Sequence, residues 1–132
     1  MKFGYAIVYV DNVNVSVEFY KQAFGISTRF VHESGDYAEL ETGVTTLAFA
    51  SHQLGASNFP DGYTKLTDLD APAGIEIALV TKDVSAAVLS AIDAGARCIS
   101  EPSQKPWGQT VAYVRAPDGM LIELCTPVSV SD

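Results

Sequence analysis

The stretch Pro106-Trp107-Gly108-Gln109-Thr110-Val111-Ala112-Tyr113-Val114-Arg115-Ala116-Pro117-Asp118-Gly119-Met120-Leu121-Ile122-Glu123-Leu124-Cys125 reads as two strands joined by a tight turn. Val111 to Arg115 is β-branched and aromatic, and Met120 to Cys125 is a second apolar run. Between them Ala-Pro-Asp-Gly is a strong turn signal, because proline presets φ and glycine supplies φ > 0. With a strand period of two, Leu121, Glu123 and Cys125 share one face, and Met120, Ile122 and Leu124 share the other. Glu123 is therefore a carboxylate among apolar neighbours. It needs a cation, a metal, a hydrogen-bond donor or water.

Upstream, the same kind of unit is written twice. Phe3 to Val10 alternates as a strand, with Phe3, Tyr5, Ile7 and Tyr9 on one face. Apolar residues at Val13, Val17, Tyr20 and Phe24 predict a helix over 14–24, closed by Gly25. Strands are expected near 27–33, 37–41 and 45–51, separated by turns at Ser34-Gly35-Asp36 and Thr42-Gly43. The pattern restarts with a strand over 75–81 and a helix from Asp83-Val84 to Ala94 capped by Gly95, then strands at 97–100, 111–115 and 120–127. Placing Tyr5 on Glu76 aligns Val13 with Val84 and Val17 with Val88, an offset of 71. An internal duplication of strand-helix-three strands is the simplest account. It gives one domain over 1–132, with a first module at 1–52, a linker at 53–72 and a second module at 73–128. The linker holds Gly55, Pro60, Gly62 and Pro72 and no sustained period, so Phe59, Tyr63, Leu66 and Leu69 either form a lid or anchor a surface loop.

Composition narrows the function. The chain has 132 residues, 48% hydrophobic and 18% charged, as in an ordinary globular protein with a core of its own. Sixteen acidic against eight basic residues leave a net charge of −8, which argues against nucleic acid and suits either simple solubility or a cationic ligand. Every apolar run is shorter than a membrane span, the N-terminus lacks a secretory pattern, and the expectation is a cytoplasmic protein without a membrane partner. Cys98 and Cys125 read as core thiols. His32 and His52 each lack a partner at ligand spacing and read as surface or structural residues. No Ser-His-Asp arrangement, phosphate loop or dinucleotide fingerprint occurs.

The run Val-Asp-Asn-Val-Asn-Val-Ser-Val-Glu-Phe-Tyr-Lys-Gln-Ala-Phe-Gly (10–25) resembles the first strand-helix unit of the vicinal oxygen chelate superfamily. That superfamily includes glyoxalases, bleomycin-binding resistance proteins and extradiol dioxygenases. Residues 106–124 resemble its last hairpin in the bleomycin-resistance-like branch. The resemblance implies an α+β fold of two tandem βαβββ modules, each a curved mixed sheet with its helix outside, forming a cup, and a homodimer. In metal-dependent members four ligands come from the first and last strands of both modules and leave sites for a bidentate oxygen substrate. Carried over, those positions fall on Tyr5, about Ala48, Glu76 and Glu123, of which only Glu123 matches. Two carboxylates and a phenol suit Zn²⁺ or Ni²⁺ poorly, so the resemblance implies no catalytic metal; any divalent metal would sit on Glu123 with Glu76.

The resulting expectation is a small-molecule binder without a cofactor, of the antibiotic-resistance kind, taking an aromatic or cationic ligand. Tyr5, Tyr9, Phe49, Glu76, Trp107, Gln109 and Glu123 are its candidate ligand contacts. Trp107, the single tryptophan, either stacks on the ligand or caps the core edge. Glu123 either meets the ligand or is satisfied by Tyr5 or backbone donors. A metal-dependent lyase, transferase or dioxygenase with unusual ligands is the alternative, and whether any reaction is catalysed stays open.

Overall fold

A computed structural model describes residues 1–128. Residues 129–132, the end of the expected single domain, lie outside the described part. The chain forms two compact units, Met1–Asp68 and Leu69–Asp132, each built as strand, helix and three strands. The fold is α+β, with two tandem βαβββ modules and one mixed sheet in each.

The first unit runs β1 (Tyr5–Val10), α1 (Val13–Phe24), β2 (Thr28–Val31), β3 (Tyr37–Leu40) and β4 (Thr46–Ser51). Its sheet order is β1-β4-β3-β2, with β1 parallel to β4 and the remaining pairs antiparallel. The expected helix forms because both of its ends are written locally. The Asn12 side chain accepts from the Val15 amide at 3.1 Å, filling an orphan donor of the first turn. Gly25 adopts φ 69°, and its amide and that of Ile26 reach back to Lys21 and Tyr20 carbonyls. That left-handed residue closes the helix as an αL cap, its amide bonding the carbonyl four residues back. The apolar stripe of α1 packs on one sheet face, where Tyr20 and Phe49 are fully buried with ring centroids 5.0 Å apart. Val8, Val10, Ala38, Leu40 and Leu47 complete this core.

The segment without sequence periodicity contains α2 (His52–Asn58) and a single 3₁₀ turn, Leu66–Asp68. Ser51 caps α2 by accepting from the Leu54 amide at 3.1 Å. Seven residues, about two turns with Gly55 in the middle, are too few to make a periodic apolar stripe.

The second unit runs β5 (Glu76–Val80), α3 (Val84–Asp93), β6 (Arg97–Gln104), β7 (Thr110–Arg115) and β8 (Leu121–Cys125). Its sheet order, β5-β8-β7-β6, repeats that of the first unit. Asp83 caps α3 by accepting from the Ala86 amide at 3.0 Å. The helix ends on Ala94 in the right-handed region; Gly95, the expected cap, lies one residue further on. β6 extends four residues beyond the expected 97–100, through two register irregularities against β7. The hairpin turn is as expected. The Gly119 amide donates to the Ala116 carbonyl at 2.9 Å, and the buried Asp118 carboxylate takes the Met120 amide at 3.1 Å. Ile122, Leu124 and Val114 are buried with Val88 and Ala91 of α3. Leu121, Glu123 and Cys125 therefore point to the face that carries no helix.

Candidate functional site

Each sheet has one helix-covered face and one helix-free face, and the period of two decides which side chains reach the latter. In the second unit β5 contributes Glu76, Ala78 and Val80, β8 contributes Leu121, Glu123 and Cys125, and β7 contributes Val111, Tyr113 and Arg115. Ala78 pairs with Glu123 across the parallel strands, so Glu76 lies diagonally beside Glu123. Tyr113 pairs directly with Glu123 across the hairpin, and its hydroxyl donates to Glu123 Oε1 at 2.8 Å. Glu123 is thus satisfied from within its own sheet. It is held by a phenol that sequence reasoning missed. The signal was present: a turn centred on Asp118 sets Tyr113 opposite Glu123 before any tertiary information is used.

The electrostatics follow from this crowding. Burial, then the Glu123 charge and a hydrogen bond with it, raise the Glu76 carboxyl above its usual range. The hydrogen bond to Glu123 first, with burial behind it, pushes the Tyr113 phenol up to about 12. Burial, helped by Glu123, also raises the Cys125 thiol. Among the described residues neither Glu76 nor Glu123 makes an ion pair.

The first unit carries a matching motif in a different state. Ile7 pairs with Ala48 where Ala78 pairs with Glu123, so Ala48 occupies the Glu123 position. Its carboxylate sits one strand over, on Glu39, which pairs with Ala48. Tyr37 donates to Glu39 Oε2 at 2.8 Å, and burial followed by that bond pushes the Tyr37 phenol up to about 12. Here a cation is built in. Arg29 reaches Glu39 at 3.4 Å, Glu41 at 2.9 Å and the Thr46 hydroxyl at 3.0 Å. The Glu41 hydrogen bond raises Arg29, and Arg29 in turn lowers Glu41. Sequence reasoning missed this cluster because its members sit on three strands whose adjacency no local pattern states.

The other candidates divide clearly. Tyr5 and Tyr9 lie on the helix-free face of the first unit; Tyr5 is exposed and Tyr9 half-buried. Phe49 does not belong with them. The register places Ala48 and Ala50 opposite Ile7 and Tyr9, so Phe49 points the other way, into the α1 core. Trp107 is 61% exposed, so it caps no core edge. Its indole N–H donates to Gln109 Oε1 at 2.6 Å, and Gln109 Nε2 donates to the Thr126 carbonyl at 2.8 Å. Gln109 therefore fixes the tryptophan loop to the end of β8. His52, read as a surface or structural residue, bonds Asp11 through Nε2 and Tyr63 through Nδ1, each at 2.8 Å. His32 is exposed and pairs only with Ser34.

A model of the glyoxalase-like domain matches residues 3–129. The chain belongs to the glyoxalase-like domain family. Within reach of that family is an uncharacterised protein of Bacillus subtilis strain 168, YraH, 27% identical over 116 residues, which cover 87% of this chain and 90% of YraH. Among solved structures, a glyoxalase-related enzyme from Fulvimarina pelagi superposes with a TM-score of 0.82 at 18% identity, covering 96% of this chain and 88% of that one. A glyoxalase/bleomycin resistance protein/dioxygenase family enzyme from Burkholderia phytofirmans PsJN gives 0.76 at 22% identity, covering 98% and 100%. At these identities the structures speak for the glyoxalase-like fold alone.

The donor chemistry of this glyoxalase-like chain fits a transition metal poorly. At the four positions where the resemblance places ligands stand Tyr5, Ala48, Glu76 and Glu123. Ala48 has no donor and is fully buried, and no imidazole is among them. Among the described residues no three His, Cys, Asp or Glu side chains come together as a set able to hold a metal ion. No helix of the described residues is long and apolar enough to cross a membrane.

Proposed function

We propose that this glyoxalase-like protein is a small-molecule binder of the bleomycin-resistance-like branch, acting in the cytoplasm on an aromatic, cationic compound. The observation that carries the reading is the contrast between the two helix-free faces. Glu39 of the first unit has Arg29 as its counter-charge, whereas Glu76 and Glu123 of the second lie side by side with no ion pair among the described residues, Glu123 held by the Tyr113 hydroxyl. Two neighbouring carboxylates, Glu76 exposed and Glu123 half-buried, repel each other until a cation enters. An amine or guanidine supplies that cation and accepts the role Arg29 fills elsewhere. Tyr113 holds Glu123 in place for it. Trp107, exposed and tethered by Gln109, offers a ring for an aromatic portion of the same ligand.

A cation favours the ionised Glu76, so binding should strengthen as pH rises through the raised Glu76 range and release protons within it. Calorimetric titration of bleomycin and planar cationic dyes, repeated in buffers of different ionisation enthalpy, measures both. Glu123→Gln and Trp107→Ala should each weaken binding by at least about tenfold, ~1.4 kcal/mol. Compounds that bind with no loss in either variant would remove these residues from the site.

The competing reading, a metal-dependent lyase, transferase or dioxygenase, draws on Glu123, which stands at a family ligand position on the last strand. Elemental analysis of untagged protein separates the two. The expected result is no stoichiometric transition metal. About one zinc, nickel or iron per chain, lost in Glu123→Gln, would establish the alternative.

A further inference from the structure

The residues after β4 hold a second chemical feature, remote in sequence from the carboxylates of β5 and β8. Parallel pairing of Val10 with Ser51 puts the ends of β1 and β4 side by side, and so sets Asp11 next to His52. From His52 the chain runs through α2, turns at 59–62 where the Gly62 amide donates to the Phe59 carbonyl at 2.8 Å, and returns with Tyr63. The result is a continuous hydrogen-bonded chain, Asp11 Oδ1 to His52 Nε2 and His52 Nδ1 to the Tyr63 hydroxyl. A neutral imidazole donates to Asp11 and accepts from Tyr63; a protonated one donates to both. The chain therefore closes in either protonation state. Burial and the nearby Tyr9 raise the Tyr63 phenol, which keeps its proton in place for His52.

This clasp fixes where two rings lie. Tyr63 stacks on Tyr9 with centroids 5.0 Å apart at 35°, and Phe59 meets Tyr9 edge-on at 5.8 Å and 89°. Tyr63 also lies flat against Gly55, where any Cβ would overlap its ring. Tyr9 stands on the helix-free face of β1. Between residues 53 and 68 only Gly55 is buried. Segments with so few buried groups open locally at low cost.

We propose that residues 53–68 form an autoinhibitory strap, in which Tyr63 and Phe59 occupy the ring surface of Tyr9 that a planar aromatic ligand would otherwise stack on. The inference rests on the reading of this protein as a binder of aromatic compounds, and adds to it a second recognition surface in the first unit. A planar ligand gains Tyr9 only by displacing Tyr63, and the Asp11–His52 pair sets how much that displacement costs. Ring exchange, not protonation, is the release step.

Lys65 lies exposed inside the strap and gives a ligand-independent readout. Limited trypsin digestion, followed by mass spectrometry, compares cleavage after Lys65 with cleavage after Lys82 of the second unit. Tyr63→Phe keeps the ring and removes only the hydroxyl. It should speed cleavage after Lys65 by about five- to tenfold while the Lys82 rate stays constant, and His52→Ala should do the same. The planar cationic dye proflavine should bind Tyr63→Phe about five- to tenfold more tightly than wild type, and saturating dye should itself speed wild-type cleavage after Lys65. Unchanged cleavage in both variants would show that no clasp exists. Dye binding that weakens in Tyr63→Phe, or that is undetectable in it, or that protects Lys65, would overturn autoinhibition. Glu123→Gln titrated in parallel speaks only to the carboxylate site, so a failure there is distinguished from a failure of the strap.

Discussion

Glu76 is the residue whose titration is most informative. Its carboxyl is raised in the folded protein by burial, by the Glu123 charge and by their shared hydrogen bond. The sign of the stability effect follows directly. Below the ordinary carboxylate value both folded and unfolded chains keep this proton, and the folded state suffers nothing. Between the ordinary and the raised values the unfolded chain ionises while the folded one holds on, and stability falls as pH rises. Above the raised value the loss is complete. Glu76→Gln removes that loss. The variant should have a higher denaturation midpoint than wild type at pH 7, and the difference should vanish near pH 4. An equal or lower midpoint at pH 7 would mean that Glu76 does not repel Glu123. The first unit shows the contrasting case, since Arg29 lowers Glu41 and accompanies Glu39, which leaves no such repulsion there.

At the scale of elements, β4 shows how one strand serves two faces. Thr46, Ala48 and Ala50 share the helix-free side and Leu47 and Phe49 the α1 side, and all five are buried. A strand that is apolar on both sides carries no alternation to read. Assigning Phe49 to the ligand face was an error of one residue in phase, and one residue inverts every side chain of a strand. The structural assignment makes a sharp prediction. Phe49→Ala should cost about 3–5 kcal/mol in chemical denaturation, because it opens a cavity against Tyr20. Leu89→Ala, on the exposed side of α3, should stay within about 0.5 kcal/mol. A small loss at Phe49 would return that residue to the ligand face. The helices posed no such difficulty. Asn12, Gly25 and Asp83 state the ends of α1 and α3 in their own side chains or backbone, within four residues of the groups they satisfy.

At the scale of the whole molecule, the two units repeat one topology with different chemistry in equivalent places. Glu76 stands where Tyr5 stands, Glu123 where Ala48 stands, and Tyr113 where Glu39 stands. The strands β1 and β5 are each a sheet edge, and they leave Tyr5 57%, Ile7 45% and Val80 64% exposed. Apolar side chains along an open edge invite a second chain, and a second copy of this one supplies the same surface. Light scattering at micromolar concentration should give twice the 14.1 kDa of a single chain. A monomer would mean that these edges stay bare.

The sequence by itself determined the two modules, their repeat, both long helices, and the hairpin that sets Tyr113 against Glu123. All of these depend on neighbours a few residues apart, and local backbone preference and side-chain period act over that range. Only the tertiary structure decided that Arg29 serves Glu39, that Phe49 belongs to the core and that His52 joins Asp11 to Tyr63. Those outcomes required β4 to lie beside β1, bringing together Asp11 and His52 from opposite ends of the first module. A parallel pairing of that kind is stabilised by burial of a common core. No residue along the chain encodes it alone.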